Sequence, residues 1–231
     1  MSWADDLLLA IELVSCQEAM FEVVQRAASA LGFDYCAYGV RVPTSVTSPK
    51  ILMFNNYPLA WQDHYSKMNY LAVDPTVQRA RSSEQPIVWD DRVFAPALNL
   101  WNDARDAGLH VGWAKSALEG HIGGMLTLAR GAEPLTALEL KAKEAQMRWL
   151  SHTAHHAFRK LLWTRWSGTL TRREKEVLQW AADGKTFSET SRIMEISIET
   201  VKFHTKNASE KLGTINRTAT VARAVAMGLL N

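Results

Sequence analysis

The 231-residue chain has only two cysteines, Cys16 and Cys36. They show no C-x-x-C spacing, which argues against a disulfide scaffold or a zinc ribbon and fits a reducing, cytoplasmic setting. No apolar run approaches the ~18 residues of a membrane-crossing helix. The opening MSWADDLLLAIELV sets acids ahead of its apolar stretch, the reverse of a secretory signal. A membrane partner is therefore not expected. An H-x-H-x-D-H cluster, a nucleophile elbow and a glycine-rich phosphate loop are all missing, so no metal, cofactor or catalytic residue is expected either. His152, His155 and His156 lie close together but have no acid in ligand spacing, and they read as a polar helix face. Large charge of one sign is also missing: the net is +2.

That charge is informative once divided. Residues 171–231 hold ten Lys+Arg against seven Asp+Glu, whereas residues 1–170 hold sixteen against seventeen. The basic excess sits on the small C-terminal part, as a DNA-contacting domain needs, yet it is modest enough to favour a dimer.

The same segment reads as three helices within residues 171–212. Thr171-x-x-Glu174 and Thr186-x-x-Glu189 are capping boxes, Asp183-Gly184 ends the first helix, and Ser197 caps the third. The break between second and third helices is about three residues, the spacing of a helix-turn-helix. On the third helix, Val201, Ala208 and Leu212 share a packed face with positions 204 and 205. The opposite arc carries Glu199, Lys202, Phe203, Lys206, Asn207 and Glu210. Lys202 and Lys206 suit guanine acceptors or phosphates, Asn207 an adenine edge, and Phe203 a thymine methyl. A solvated face with Glu–Lys pairs is the alternative. Within a capped helix-turn-helix an exposed phenylalanine between lysines favours the reading role. His204 reads as structural. A fourth helix, 217–227, capped by Asn216, is a candidate dimer contact.

The N-terminal part mixes helix and strand. Helical spacing runs over 3–30 (Leu8, Ile11, Val14, Phe21, Val24, Ala28), and strands are expected at 35–42 and 51–55 with a Pro/Ser/Thr-rich connection at 43–49. A helix at 58–68 and another opened by Asp74-Pro75 follow, then a strand at 86–89 and a helix at 97–107. Strands at 111–118 and 125–130 bracket Gly123-Gly124 as a hairpin, and a long helix spans 135 to about 162. The expected fold is α+β, an α–β–α sandwich on an antiparallel sheet, followed by an all-α domain of four helices. The expected boundaries are 1–163, a linker at 164–170 where the pattern stops at Ser167-Gly168, and 171–231.

Trp61 and Tyr65 are one helical turn apart, so an indole N–H and a hydroxyl share a face. With Asp74 they would satisfy a lactone-amide, which offers two carbonyls and one N–H. On spacing alone the plainer reading is favoured, with Asp74 only the cap before Pro75 and Trp61 and Tyr65 only amphipathic core.

The string Leu170–Leu178, Trp180, Gly184-Lys185, Ile196-Ser197, Thr200-Val201, His204, Asn207 and Lys211-Leu212 resembles the LuxR-type helix-turn-helix. Tyr57-Pro58, Trp61, Tyr65, Asn69-Tyr70, Asp74-Pro75, Pro86, Trp89, Trp101, Ala104-Arg105-Asp106 and Gly108-Leu109 are similar in pattern to the autoinducer-binding domain of acyl-homoserine-lactone receptors. The resemblance implies a quorum-sensing regulator, not an enzyme. Its signal would be an N-acyl-homoserine lactone and its other partners double-stranded promoter DNA, a second copy of the chain and RNA polymerase. It further implies that Trp61 donates to the lactone carbonyl, Tyr65 to the amide carbonyl, and Asp74 accepts from the amide N–H. Thr127 would assist at the amide or a 3-oxygen, while Tyr57, Trp89 and Trp101 form walls. Thr200, Lys202, Phe203, Lys206 and Asn207 would face DNA. Two departures stand out: Glu189-Thr190-Ser191 replaces the family's E-I-A, and Ala208 replaces an apolar residue after Asn207. Both trim the core of the small domain.

Overall fold

The computed structural model describes residues 3–42, 49–119, 122–131, 133–167 and 170–230. It divides into two compact units. One takes in Met1–Val40, Ile51–Glu119 and Gly123–Arg159, and the other is built mainly from Lys160–Asn231.

The first unit contains a five-stranded antiparallel sheet in the order β2-β1-β5-β4-β3. Its strands are β1 (Tyr35–Val42), β2 (Lys50–Asn55), β3 (Ile87–Val88), β4 (Val111–Glu119) and β5 (Ile122–Arg130). On one face lie α1 (Trp3–Glu12), α2 (Gln17–Ala30) and α7 (Ala137–Ser167). On the other lie α3 (Leu59–Lys67), α4 (Pro75–Ala80), α5 (Asp91–Phe94) and α6 (Leu98–Asp106). This is the expected sandwich.

Helix α7 reaches the sheet through Met147, Leu150, Ser151, Ala154, His155 and Phe158, a buried stripe at alternating spacings of three and one. Phe158 stacks on Tyr38 of β1 at 4.3 Å and meets Phe54 of β2 at 5.1 Å, and Phe54 in turn meets Phe21 of α2. At the end of β5, Arg130 forks onto both oxygens of Glu139 at 2.9 and 2.6 Å. Lys143 adds a bond from the next turn, and together the two cations hold the Glu139 carboxyl down at about 2.

Several expectations need correction. The N-terminal helical run is two helices, because the chain at Cys16 is extended (φ −130°, ψ 161°) and restarts as an N-cap. Leu7, not Leu8, is the buried residue of α1. The structure adds the short α5, whose four residues are too few to show a helical period. Gly123 and Gly124 belong to β5 rather than to a turn, and residues 120–121 lie outside the described residues. So do residues 43–48 of the expected connection and Gly168. The helix α7 remains helical through Ser167. His155 is not on a polar face: it is buried, and its Nδ1 pairs with the Tyr38 hydroxyl at 2.8 Å.

The second unit is four helices, α8 (Arg172–Ala182), α9 (Phe187–Met194), α10 (Ile198–Leu212) and α11 (Arg217–Ala226). Both capping boxes form, at Thr171/Glu174 and Thr186/Glu189. Glu195 closes α9 in the left-handed region (φ 54°), so Ser197 can open α10 two residues later. The core joins Leu170, Leu178, Ala208, Leu212, Ala224, Met227 and Leu229. Glu174 is nearly fully buried and binds Lys211 of α10 through both oxygens, at 2.9 and 2.8 Å. Burial raises its carboxyl, but Lys211 and the Thr171 cap outweigh that and hold it below the ordinary value.

Two predictions follow from the contact of Gly124 with Tyr38 and His155. A Cβ at Gly124 would collide with the Tyr38 hydroxyl and the His155 Nδ1. Gly124→Ala should therefore destabilise the chain by about 1–3 kcal/mol, as overpacking does. A thermal melt matching the parent's would show that this contact yields freely. Burial also lowers the His155 pKa from 6.5 to about 4. The folded state thus holds a neutral ring that the unfolded chain protonates more easily. The stability this confers is complete above pH 6.5 and drains as pH falls toward 4. The melting temperature of the parent should drop over that window more steeply than that of His155→Gln, and parallel curves would contradict the assignment.

Candidate functional site

Below the sheet, Trp61, Tyr70, Phe94, Leu100, Trp101, Ala104, Leu109 and Ala129 form one buried apolar cluster. Tyr35, Tyr57, Tyr65, Trp89, Val93, Ala97 and Ala107 pack against it. The structure therefore brings Tyr57, Trp61, Tyr65, Trp89 and Trp101 together. Thr127 is buried on β5 two residues before Ala129, and a strand's period of two puts both on the cluster's face.

The rings are held by specific contacts. Trp61 sits among Tyr65 (5.7 Å), His64 (6.2 Å) and Tyr70 (6.3 Å). Trp101 stacks on Phe94 at 4.5 Å with ring planes 4° apart, and Trp89 stands edge-on to both. The outer face of Trp101 carries the Arg105 guanidinium at 4.3 Å. Trp89 lies flat over Gly112 of β4, where a Cβ would overlap its ring. Beyond Trp89 and Trp101 opens a cleft of about 600 Å³ that also touches Arg105, His110 and Leu135.

The polar groups are paired as well. Asp74 is the N-cap of α4: its Oδ1 accepts from the Thr76 amide at 2.8 Å and the Thr76 hydroxyl at 2.6 Å. Its Oδ2 accepts from the Tyr65 hydroxyl at 3.0 Å. One carboxylate thus serves as the cap of α4 and as the partner of Tyr65. Burial and the Asp74 charge push the Tyr65 phenol well up, so it is a neutral donor. Burial does the same for Tyr57. Trp101 donates through Nε1 to Asp91 at 2.7 Å, whereas the Trp89 Nε1 is buried without a partner.

Sequence reasoning missed the group around Asp103 of α6. Its Oδ2 accepts from the Tyr70 hydroxyl at 2.5 Å and lies 2.6 Å from the His64 Nε2. These bonds hold the Asp103 carboxyl below its usual range. Residues 39 and 33 positions apart leave no periodic signal of such a link. The two cysteines are free, and burial lifts the Cys36 thiol to about 12. Among the described residues no group of three His, Cys, Asp or Glu is placed to hold a metal, and no helix is long and apolar enough to cross a membrane.

In the second unit, Val201, Thr205, Ala208 and Leu212 bury one face of α10, while His204 is half-buried. Lys202, Phe203 and Lys206 are exposed, Phe203 by 59%. Thr200 and Asn207 are half-buried, and the Thr200 hydroxyl lies 2.8 Å from that of Ser197. Lys202 pairs with Glu199 at 2.8 Å, and Lys206 approaches Glu210 at 3.9 Å. Such exposed intrahelical pairs are worth only a few tenths of a kcal/mol, so a phosphate or base edge can displace them.

Comparison with known proteins agrees with this division. Residues 17–158 match the autoinducer binding domain, and residues 168–224 match bacterial regulatory proteins of the luxR family. Over 237 residues the chain is 44% identical to the transcriptional activator protein AnoR of Acinetobacter nosocomialis, covering 99% of each. It is 34% identical to the HTH-type quorum-sensing regulator RhlR of Pseudomonas aeruginosa, over 99% of this chain and 96% of that one. The crystal structure of Escherichia coli SdiA superposes with a TM-score of 0.84 at 31% identity, over 99% of this chain and 98% of that one. SdiA in complex with octanoyl-rac-glycerol gives the same TM-score and identity, over 99% and 96%. An aromatic cluster suited to a small signal in one unit and a capped helix-turn-helix in the other thus have one meaning: the chain belongs to the luxR family of bacterial regulatory proteins, as an autoinducer-binding, DNA-binding transcriptional regulator and not an enzyme.

Proposed function

We propose that the chain is a cytoplasmic quorum-sensing regulator that binds an N-acyl-homoserine lactone in the aromatic cluster and, as a homodimer, reads a palindromic promoter site to control RNA polymerase. Residues 1–163 form the autoinducer unit, 164–170 the linker and 171–231 the DNA-binding unit. The observation that carries the ligand assignment is the Tyr65–Asp74 pair beside Trp61 in the aromatic cluster. A lactone-amide has one N–H and two carbonyls. Asp74 Oδ2 accepts the amide N–H, the Tyr65 hydroxyl turns from Asp74 to the amide carbonyl, and the Trp61 indole meets the lactone carbonyl. Each polar group of the ligand gains a partner, and Tyr65 exchanges one bond for another. Thr127 supports the amide end, while Tyr57, Trp89 and Trp101 enclose the apolar remainder. One observation favours a second reading, an acyl glycerol in the same cluster: the complex of SdiA with octanoyl-rac-glycerol. A binding panel holding both ligand types separates the two.

On the DNA side, Thr200, Lys202, Phe203, Lys206 and Asn207 form the reading face. A single unit with a small charge excess is a weak binder, so two copies are expected with reading helices about one DNA turn, ~34 Å, apart.

Two measurements test these assignments. Trp61→Phe keeps most of the ring but deletes its N–H, and Asp74→Asn weakens the acceptor, each costing roughly 1–3 kcal/mol. The half-maximal lactone concentration in a reporter assay at matched protein level should rise about tenfold or more in each. A parent-like response from both would mean that the clamp is misassigned. For DNA, Lys202→Ala and Lys206→Ala should each either relax preference at one base or lower the salt slope by about one. A footprint lacking a dyad, or a double variant binding as tightly as the parent, would remove α10 as the reader.

A further inference from the structure

We propose that Asp103 is a positioning residue for ligand recognition, fixing the Trp61 ring through the side chains of Tyr70 and His64. The proposal rests on the reading of Trp61 as a ligand donor. Trp61 sits on α3 and is bounded by three aromatic rings, those of His64, Tyr65 and Tyr70. Two of the three, His64 and Tyr70, end on the same carboxylate oxygen, Asp103 Oδ2, at 2.6 and 2.5 Å. The rings of His64 and Tyr70 also meet edge-on at 5.8 Å. The third, Tyr65, is tied to Asp74. Asp103 stands on α6, so its bonds join α3, the turn at Tyr70–Ala72 and α6 around a single indole.

The geometry gives this carboxylate a role beyond packing. Asn69, just before Tyr70, takes the left-handed conformation (φ 51°), which asparagine adopts more readily than most residues, and it turns the chain between α3 and Tyr70. A charge-assisted bond from the Tyr70 phenol to Asp103 anchors that turn. An indole donor is useful only when its N–H points at the acceptor, because such bonds weaken steeply off axis. A carboxylate that locks the flanking rings sets that direction without touching the ligand. His64 has its side chain 41% exposed and Asp103 33%, so they form the outer rim of this arrangement.

The test is a double-mutant cycle in the full chain. The probe is the tightest binder among N-acyl-homoserine lactones from butanoyl to dodecanoyl, read as half-maximal concentration at matched protein level. Asp103→Asn should raise that concentration about tenfold, and the nearly isosteric Tyr70→Phe several-fold. In a Trp61→Phe background each should cost less than about twofold, because the group they orient is gone. Tyr70→Phe changes only a hydroxyl and keeps the test open where Asp103→Asn fails to accumulate. Effects that simply add to that of Trp61→Phe would overturn the proposal and leave Asp103 as a packing residue. A parent-like affinity for Trp61→Phe alone would overturn the clamp reading on which the proposal stands.

Discussion

A β-strand sends alternate side chains to opposite faces, and in β5 that rule separates packing from chemistry. Gly124 lies against Tyr38 and His155 on the side of α7, and Arg130 forks onto Glu139 on the same side. Ala129 belongs to the aromatic cluster on the other side, and Thr127 shares its register. The neighbouring strands obey the same division. On β1, Tyr38 meets Phe158 of α7 while Tyr35 packs with Tyr57. On β4, Lys115 reaches His152 of α7 while Gly112 lies under Trp89. Glycine lets a ring come close on either face, Gly124 under Tyr38 and His155 and Gly112 under Trp89. A one-residue slip of β5 would exchange the two sets, so its register governs both the stability of this unit and the shape of its site.

The DNA-binding unit has a leaner construction. Its helix α10 buries Val201, Thr205, Ala208 and Leu212, a narrow stripe with only three apolar residues. Thr190, one of the departures from the family pattern, is fully buried, and its hydroxyl has no partner. An unpaired buried hydroxyl and a small Ala208 both withhold stability that an aliphatic pair would supply. The Glu174–Lys211 ion pair compensates locally by joining the capping box of α8 to the last turn of α10. That carboxylate satisfies the Thr171 amide and Lys211 at once. Breaking it from one side would leave a buried charge alone, which costs more than the pair itself provides.

The sequence made the small unit almost fully legible. Its signals are local: caps, a left-handed glycine and a helical period all act within a few residues. The long helix α7 and the two leading strands were legible for the same reason. What escaped depended on distant partners or short elements. The break at Cys16 interrupts an apolar period that continues in phase on either side, so no pattern marked it. Gly123-Gly124 looked like a turn, because a close approach of Tyr38 and His155 cannot be read from a dipeptide. In the aromatic cluster, Trp61 and Tyr65 were visible as an i,i+4 pair, and Asp74 as a cap before proline. That the cap also holds Tyr65, and that His64 and Tyr70 converge on Asp103, are facts of tertiary structure between residues 9, 39 and 33 positions apart.

Three aspartates end the hydrogen bonds of this cluster: Asp74 takes Tyr65, Asp91 takes Trp101 and Asp103 takes Tyr70. Each bond runs from a neutral aromatic donor to a carboxylate, the stronger class of hydrogen bond in proteins. The carboxylates belong to α4's cap, α5 and α6, while the rings come from α3, the turn after it and α6. Short helices that are individually too small to be stable thereby brace one another. An aromatic ring has only two side-chain torsions, and a bond at its far end removes most of their freedom. In the site proposed above, the entropy of ordering such walls would be spent in folding and not in binding, which is the physical meaning of preorganisation. Asp91 and Asp103 keep their charges in contact with water at the rim while their hydrogen bonds direct Trp101 and Tyr70, which are buried. Asp74 is itself buried, and the Thr76 amide and hydroxyl balance its charge.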